Sequence, residues 1–407
     1  MKITRGYKSE LDLNNKQTTE CLKHAGTARY AFNWGLAKKI EAYKAGQIVP
    51  SAIDLHRELN KLKQAELQWM YEVSKCAPQE ALRDVDTAYK NFFRKVKLKK
   101  AGKYKGKPGF PKFKKKSKGI GSFRLTGSIK GFSDAIQLPR LGTLRLKEHG
   151  YLPVDAHILS ATVSEQAGRW FVSIHVEEER AEPVSSATTA IGVDLGITTL
   201  ATCSDNVEFS NPRSLKHKLK KLKRLQRAHS RKQKGSKNRA ISRKRLAVLH
   251  ARIANARKDA LHKFTTHVCK SHVHIGIEDL HVAGMLKNHH LAQAIADSSF
   301  GEIRRQLTYK ARWYGTRLVV IDRFFPSSKT CSVCGYVLEK LDLKVRVWTC
   351  PNCGTVLYRD DNASKSILAV SLTDSLNACG AASSGYLAIS SETSRVEAGT
   401  KQHLDMS

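Results

Sequence analysis

The sequence predicts an α+β chain of several domains. Three observations carry that expectation. Helical periodicity runs through residues 16–97, strand alternation runs through 120–185, and a polar stretch, AEPVSSATT at 181–189, separates both from a second set of strands and helices. At roughly 100–200 residues per domain, a chain of 407 residues allows two to four domains. With 41% hydrophobic residues there is material for folded cores, which excludes a wholly disordered chain.

In order along the chain, residues 1–15 read as a strand. In 16–97, Cys21, Leu22, Ala25, Ala28, Trp34, Leu36 and Ile40 recur at helical spacing, a second segment covers about 52–65, and a third carries Ala77, Leu82, Val85, Ala88, Tyr89 and Phe92 on one face. Pro78 sits where a first-turn proline belongs. The run GKPGFPKFKKK cannot be a regular helix. Strands follow, including a hairpin that turns at Gln166-Ala167-Gly168. Beyond the linker come two strands around Gly196, then a basic helical hairpin over 214–268. Its stripes, Leu215, Leu219, Leu222 and Leu225 on one arm and Ile241, Leu246, Leu249 and Ile253 on the other, are expected to pack on a scaffold, with 233–238 as the turn. A buried strand at 272–278, a helix at 297–315, a strand at 318–321, paired cysteines within 326–359 and a helix at 362–372 complete the folded part. The last ~30 residues are rich in Ser, Ala and Gly without period and are expected to be disordered.

The formal net charge is +35, from 71 Lys and Arg against 36 Asp and Glu. A surface of that sign needs a polyanion; nucleic acid is the first candidate and an anionic membrane the second. Residues 87–133 and 210–258 contain no acid, while 94–118 hold 13 Lys or Arg and 213–258 hold 19. Solvated helix faces mix signs, so these runs read as a nucleic-acid track. No run of about 18 apolar residues is present and the N-terminus has no apolar signal core, so a soluble intracellular protein is expected. Its nine cysteines are then thiols or metal ligands rather than disulfides.

Cys331-x-x-Cys334 and Cys350-x-x-Cys353 each run into a glycine, Gly335 and Gly354. A two-residue spacer lets both thiolates reach one tetrahedral ion at about 2.3 Å, so the four predict a closed, structural zinc site. Cys21, Cys76, Cys203, Cys269 and Cys379 show no such spacing.

Acids are scarce in the second half. Asp194 interrupts the apolar run AIGVDLGITTLAT, with Gly192 and Gly196 permitting close backbone approach, and Glu278 ends HVHIGIE. Asp360 and Asp361 precede a helix, where either could also serve as an ordinary N-cap. Three such carboxylates fit a site for two Mg²⁺ held about 3.5–4 Å apart for phosphodiester hydrolysis, although the alternatives of a turn residue for Asp194 and a strand-end charge for Glu278 stay open.

Laid out in order, AYKNFFRKVK, GKPGFPKFKKK, GVDLGI, GIEDL, FGEIRRQLTYKARWYG, FFPSSKTCSVCG, RVWTCPNCG and RDDNAS resemble the TnpB family, RNA-guided nucleases encoded by insertion sequences and related to type V CRISPR effectors. The resemblance covers nearly the whole chain. It implies a wedge-type β-barrel from 1–15 and 98–185 with a helical recognition insert at 16–97. An RNase H-like (RuvC) α/β nuclease domain would follow at 186–325 and 356–375, with a zinc ribbon inserted at 326–355 and a tail at 376–407. It places the catalytic triad and its two Mg²⁺ on Asp194, Glu278 and Asp360, the last through a D-x-N-A pattern, with Asp361 as the alternative register. Tyr358 stands where relatives often carry another acid, and Ala363-Ser364 replaces paired alanines; neither removes a metal ligand. Lys75 and Gln79 fall where the family contacts a short motif flanking its DNA target. Lys103, Lys105, Lys112 and Lys114 fall near the guide, and Lys220, Lys221, Lys223 and Arg224 lie on the basic hairpin.

The implied partners are a long structured guide RNA, one protein chain per guide, and double-stranded target DNA with its flanking motif, in the cytoplasm of a bacterium or archaeon at the nucleoid. No membrane partner is implied. An RNA-guided DNA-binding repressor would differ by lost carboxylates. An unguided RuvC-like resolvase or RNase H would be shorter and lack both the zinc ribbon and the helical insert.

Overall fold

The Asn14 side chain accepts from the Gln17 amide while the Gln17 side chain accepts from the Asn14 amide, at 2.8 and 3.1 Å. This capping box turns the first strand, β1 (Lys2–Asp12), into a 30-residue helix, α1 (Asn15–Lys44), within two residues. Ser51 and Asp54 start α2 (Ala52–Ala65) in the same way. A short 3₁₀ turn (Gln68–Glu72) leads to α3 (Cys76–Lys100), with Pro78 in its first turn. The structure is a computed structural model; it describes residues 2–154, 156–179 and 181–378 and divides into two units, 1–180 and 181–407. The tail expected at 376–407 lies, from residue 379 onward, outside the described residues.

In the first unit the remaining strands are β2 (Ser122–Leu125), β3 (Lys130–Gly131), β4 (Ala135–Leu138), β5 (Gly142–Leu146), β6 (His157–Gln166) and β7 (Arg169–Glu179). They join β1 in an antiparallel sheet of order β2-β6-β7-β1-β5-β4-β3. The β6–β7 hairpin turns on Ala167 and Gly168, both at positive φ (58° and 82°), as a two-residue loop matched to strand twist requires. The expected barrel is not closed. β2 and β3 are free edges, and β3 offers only two residues to a further ladder. Val172, Ile174 and Val163 of the sheet share one core with Ala28 and Leu36 of α1 and Leu82 of α3. At Gly35 a Cβ would lie 2.6 Å from Leu82 Cδ2, so α1 and α3 cross closely only because that position is bare.

The second unit begins with β8 (Ala190–Leu195), β9 (Thr199–Cys203) and β10 (Glu208–Ser210), an antiparallel meander. The basic hairpin follows as α4 (Ser214–Ser230) and α5 (Lys237–Ser271). Next come β11 (His274–Glu278), two short helices, α6 (Val282–Met285) and α7 (Ala292–Ser298), then α8 (Phe300–Tyr314) and β12 (Arg317–Ile321). A two-stranded sheet, β13 (Val347–Thr349) and β14 (Val356–Tyr358), precedes the last helix, α9 (Arg359–Ala378). The five-stranded sheet has order β10-β9-β8-β11-β12, with β11 parallel to both β8 and β12.

Alternation along β8 and β11 gives this sheet two unlike faces. Ile191, Val193, Ile275 and Ile277 join Leu261 and Phe264 of α5 and Ile303 and Leu307 of α8 in one core. The opposite face presents Gly192, Asp194, Gly276 and Glu278. Gly192 and Gly276 are register partners, and α9 lies directly over them. A Cβ on Gly192 would fall 2.0 Å from the Ser364 carbonyl, and one on Gly276 would fall 2.5 Å from Ser371 Oγ.

The basic hairpin departs from expectation. Its stripes pack on each other: Leu222, Leu249 and Ile253 are buried with Leu215, Leu225 and Leu246 against them, and Ile241 is exposed. The arms close their own small core, so a separate scaffold is not needed there. α4 is anchored at its start, where Asp297 accepts from the Leu215 and Lys216 amides and pairs with Arg257 at 2.8 Å.

Candidate active site and metal centre

Asp194 stands on β8 two residues after Gly192, and Glu278 ends β11 two residues after Gly276. Val193 is paired with Ile277, so Glu278, the next residue, is level with Asp194 on the neighbouring parallel strand. Because α9 rests on the two glycines, its first turn, which carries Asp360, comes to the same end of the sheet. Helix α9 starts at Arg359, so Asp360 and Asp361 both lie inside its first turn and neither precedes it as a cap.

The Asp194 carboxyl is pushed up to about 7, first by burial and then by the charges of Glu278 and Asp360, with Arg359 opposing them. Three carboxyl groups therefore share one partly desolvated place. Asp361 is engaged elsewhere, 2.9 Å from Lys365 one turn on. Asp279, beside Glu278, is neutralised by Arg304 and Arg323, which hold it well below the usual carboxylate range. The triad oxygens are not drawn together as tightly as the thiols below: among the described residues, the only three or more potential ligands lying mutually within 4.8 Å are the four cysteines. Two of the three carboxylates have side-chain partners of their own. Arg346 sits 3.3 and 3.5 Å from the two Asp360 oxygens, and Ser327 donates to Glu278.

Cys331, Cys334, Cys350 and Cys353 form a cluster that could hold a metal ion. Sγ atoms lie 3.7 Å apart for Cys331 and Cys353 and 3.6 Å apart for Cys334 and Cys350. Four sulfurs at about 2.3 Å from one tetrahedral ion stand about 3.8 Å apart, so this spacing suits such a site. Both knuckles have the same backbone. Gly335 donates to the Cys331 carbonyl and Gly354 to that of Cys350, each at 2.9 Å, with φ of 76° and 70°. The Asn352 side chain and the Tyr336 backbone pull the Cys334 thiol down to about 6, which favours the thiolate a metal needs. Around the sulfurs Trp348 and Leu357 complete a buried core, with Leu338, Leu341 and Val345 packed against it. Burial pushes the Cys331 thiol up to about 12, as it does the core thiols of Cys21, Cys203 and Cys269, so it is the mutual spacing of the four sulfurs that sets the cluster apart. Cys76 is likewise buried, and Cys379 lies outside the described residues.

Sequence reasoning missed the residues that tie this cluster to α9. Arg359 donates to the carbonyls of Asp342 and Val345 from its guanidinium, and its amide donates to that of Arg346. Asn362 donates to the Thr330 carbonyl at 2.7 Å and accepts from the Ser332 amide at 2.8 Å. No spacing in the chain announces pairs 13 to 32 residues apart.

The candidate nucleic-acid residues lie on both units. Lys75, just before α3, is exposed and Gln79, in its first turn, is half-buried; Lys103, Lys105 and Lys112 are exposed on the loop after α3. Lys114 is docked: its backbone exchanges hydrogen bonds of 2.8 and 2.9 Å with Asn33, and its ammonium lies 4.0 Å from the Phe32 ring centre. Lys220, Lys221, Lys223 and Arg224 are exposed on α4. Among the described residues no helix is long and apolar enough to cross a membrane.

The fold and site define a mixed α/β chain of several units, with acids gathered at a sheet end beside a four-cysteine cluster. Family models match three stretches of the chain. The OrfB model of the IS605 group, described as "Probable transposase", matches residues 173–289, and the Cas12f1-like TNB domain model matches 300–367. A helix-turn-helix domain model of the same group matches 1–47, where the structure has one strand and one long helix. The chain is 38% identical over 383 residues to a Streptomyces pristinaespiralis protein named "Putative RNA-guided DNA endonuclease", covering 93% of this chain and 91% of the other. It is 33% identical to InsQ of Escherichia coli K12, which carries the same description, covering 91% and 92%. Its fold is also that of Cas12f1 as seen in a complex with sgRNA and target DNA, at a TM-score of 0.53 and 12% identity, covering 90% of this chain and 98% of that one. The chain belongs to the TnpB (OrfB, IS605-type) family.

Proposed function

We propose that this protein is the RNA-guided DNA endonuclease of a transposable element, cutting target DNA beside a short flanking motif. The observation that carries the reading is the placement of Asp194, Glu278 and Asp360 at one end of the second sheet, with Asp194 raised first by burial and then by the charges of the other two. The donor set fits the cation such chemistry uses: three carboxylates supply hard oxygen ligands, and their mutual repulsion is the charge excess a divalent ion relieves. Asp194, Glu278 and Asp360 would hold two Mg²⁺, which would supply an activated water and stabilise the leaving oxygen. Asp360 is preferred to Asp361 because its charge reaches Asp194, whereas Asp361 is paired with Lys365.

Under this reading 186–325 and 356–375 form the RNase H-like (RuvC) nuclease domain, and the four cysteines hold one structural Zn²⁺ in a ribbon at 326–355. Residues 1–15 and 98–185 form the wedge domain as an open sheet, with 16–97 as the recognition insert. Guide pairing reads the sequence, while Lys75 and Gln79 read the flanking duplex and the exposed lysines of both units hold the guide. The relatives are named putative RNA-guided DNA endonucleases and the solved complex holds sgRNA and target DNA, which supports an RNA guide and a DNA target here; the guide is read as a long structured RNA with one chain on each.

The test is Asp194→Ala in the full chain with its guide. Cleavage in Mg²⁺ is expected to be lost, by at least about a hundredfold, while guide and target binding persist. Cutting at the wild-type rate would remove the catalytic assignment.

A further inference from the structure

We propose that Asn362 is a positioning residue that couples the four-cysteine site to Asp360. Filling the thiolate cage sets the carboxylate, and a cation at the carboxylates steadies the cage; the inference rests on the nuclease reading above. Asn362 is 1% exposed, and its side chain grips the backbone on both sides of Cys331. Nδ2 donates to Thr330 at 2.7 Å and Oδ1 accepts from Ser332 at 2.8 Å. A ligand-bearing turn is thereby fixed to the first turn of α9, two residues past Asp360. The second strut is Arg359, whose amide and guanidinium hold the segment between the cysteine pairs, from which Arg346 reaches Asp360.

A turn that carries a metal ligand is ordered when the ion binds, and groups that orient such turns commonly change affinity or activity about 10–100-fold when removed. Coupling of this kind is reciprocal: if zinc sets Asp360, an ion at the carboxylates must raise zinc affinity by the same factor that zinc raises affinity for that ion. Ser366 offers an internal comparison. Its hydroxyl donates to the same Thr330 carbonyl at 3.1 Å, but it lies a further turn from Asp360 and does not touch Ser332.

The experiment uses the full zinc-loaded chain with its guide. Zinc partition between the chain and the colorimetric chelator 4-(2-pyridylazo)resorcinol is measured at equilibrium with and without millimolar Mg²⁺, and the Mg²⁺ midpoint of cleavage is measured alongside. In the wild type, Mg²⁺ reduces the zinc passed to the chelator. In Asn362→Ala that reduction is lost, and the Mg²⁺ midpoint rises by about tenfold or more. Ser366→Ala lowers the melting temperature and keeps both wild-type behaviours. If Asn362→Ala does not fold, Asn362→Asp, which retains the acceptor for Ser332 and loses the donor to Thr330, shows the same two changes. An Asn362 variant that melts lower yet keeps the Mg²⁺ effect and midpoint would reduce Asn362 to a structural role and overturn the proposal. So would a wild-type chain that cuts but whose zinc partition ignores Mg²⁺. A wild-type chain that neither cuts nor responds to Mg²⁺ removes the nuclease reading, and this inference with it.

Discussion

Asp194 is the residue on which the site's electrostatics turn. Its carboxyl titrates near 7 when folded, against an ordinary value of 3.8, so folding takes up a proton between those pH values. Stability of the metal-free chain is therefore present below about pH 4 and falls as pH rises through about 7. Asp194→Asn cannot ionise. In EDTA it is expected to melt several degrees above the wild type near pH 8 and level with it near pH 4. An equal offset at both pH values would show an unperturbed carboxyl. Asp194 and Glu278 were legible in the sequence because an acid inside or ending an apolar strand is conspicuous. The choice between Asp360 and Asp361 was not, since cap and ligand use the same residue type at the same place. Asp360 is proposed because Asp361 is paired with Lys365. Asn362 was legible as part of a motif and silent about its role, because both its partners lie 30 and 32 residues earlier in the chain.

At the scale of elements, the two paired glycines decide where α9 sits. A Cβ at 192 would enter the α9 backbone, which cannot yield as a flexible side chain would. Gly192→Ala is expected to cost about 1–3 kcal/mol by overpacking and to impair cleavage more than guide binding, because the helix that carries Asp360 must rise. Unchanged melting and cleavage would show that α9 yields without consequence. The basic hairpin gives the second expectation at this scale. Replacing Lys220, Lys221, Lys223 and Arg224 with Ala should flatten the log–log salt dependence of guide binding by up to about three, at roughly 0.7–0.9 per phosphate contact. An unchanged slope would mean that this face of α4 meets only solvent. The helical arms and their turn were readable from periodicity. Their mutual packing was not, because a leucine stripe states that a face is covered and leaves open by what. Exposed Ile241 is the position where the stripe pattern misled.

For the whole molecule, the charge was the most legible property: a +35 chain with two acid-free runs, one in each unit, already pointed to nucleic acid. The sheet's failure to close was illegible, since strand alternation gives faces and lengths but not which edges meet. Metal dependence also belongs at this scale. Beside its sulfurs the cysteine unit buries Trp348 and Leu357, with Leu338, Leu341 and Val345 partly buried against them, a small apolar core for holding a fold unaided. Cys350→Ser, or stripping with a strong chelator, is expected to lower the melting temperature and cleavage together, while metal analysis of the native chain finds one zinc per molecule. Native protein that is fully folded without zinc would refute this.

The open sheet of the first unit has a further consequence, for self-association. Unpaired strand edges are templates on which copies of a chain add to one another, and a closed barrel would have had none. Here the two edges are four and two residues long, and they carry Arg124 and Lys130. Each is too short and too cationic to seed a growing ladder, so at high concentration the RNA-free chain should stay dispersed through charge repulsion. Anything that neutralises those cations without pairing the edges, such as excess non-cognate polyanion, removes that protection and should turn a clear solution cloudy.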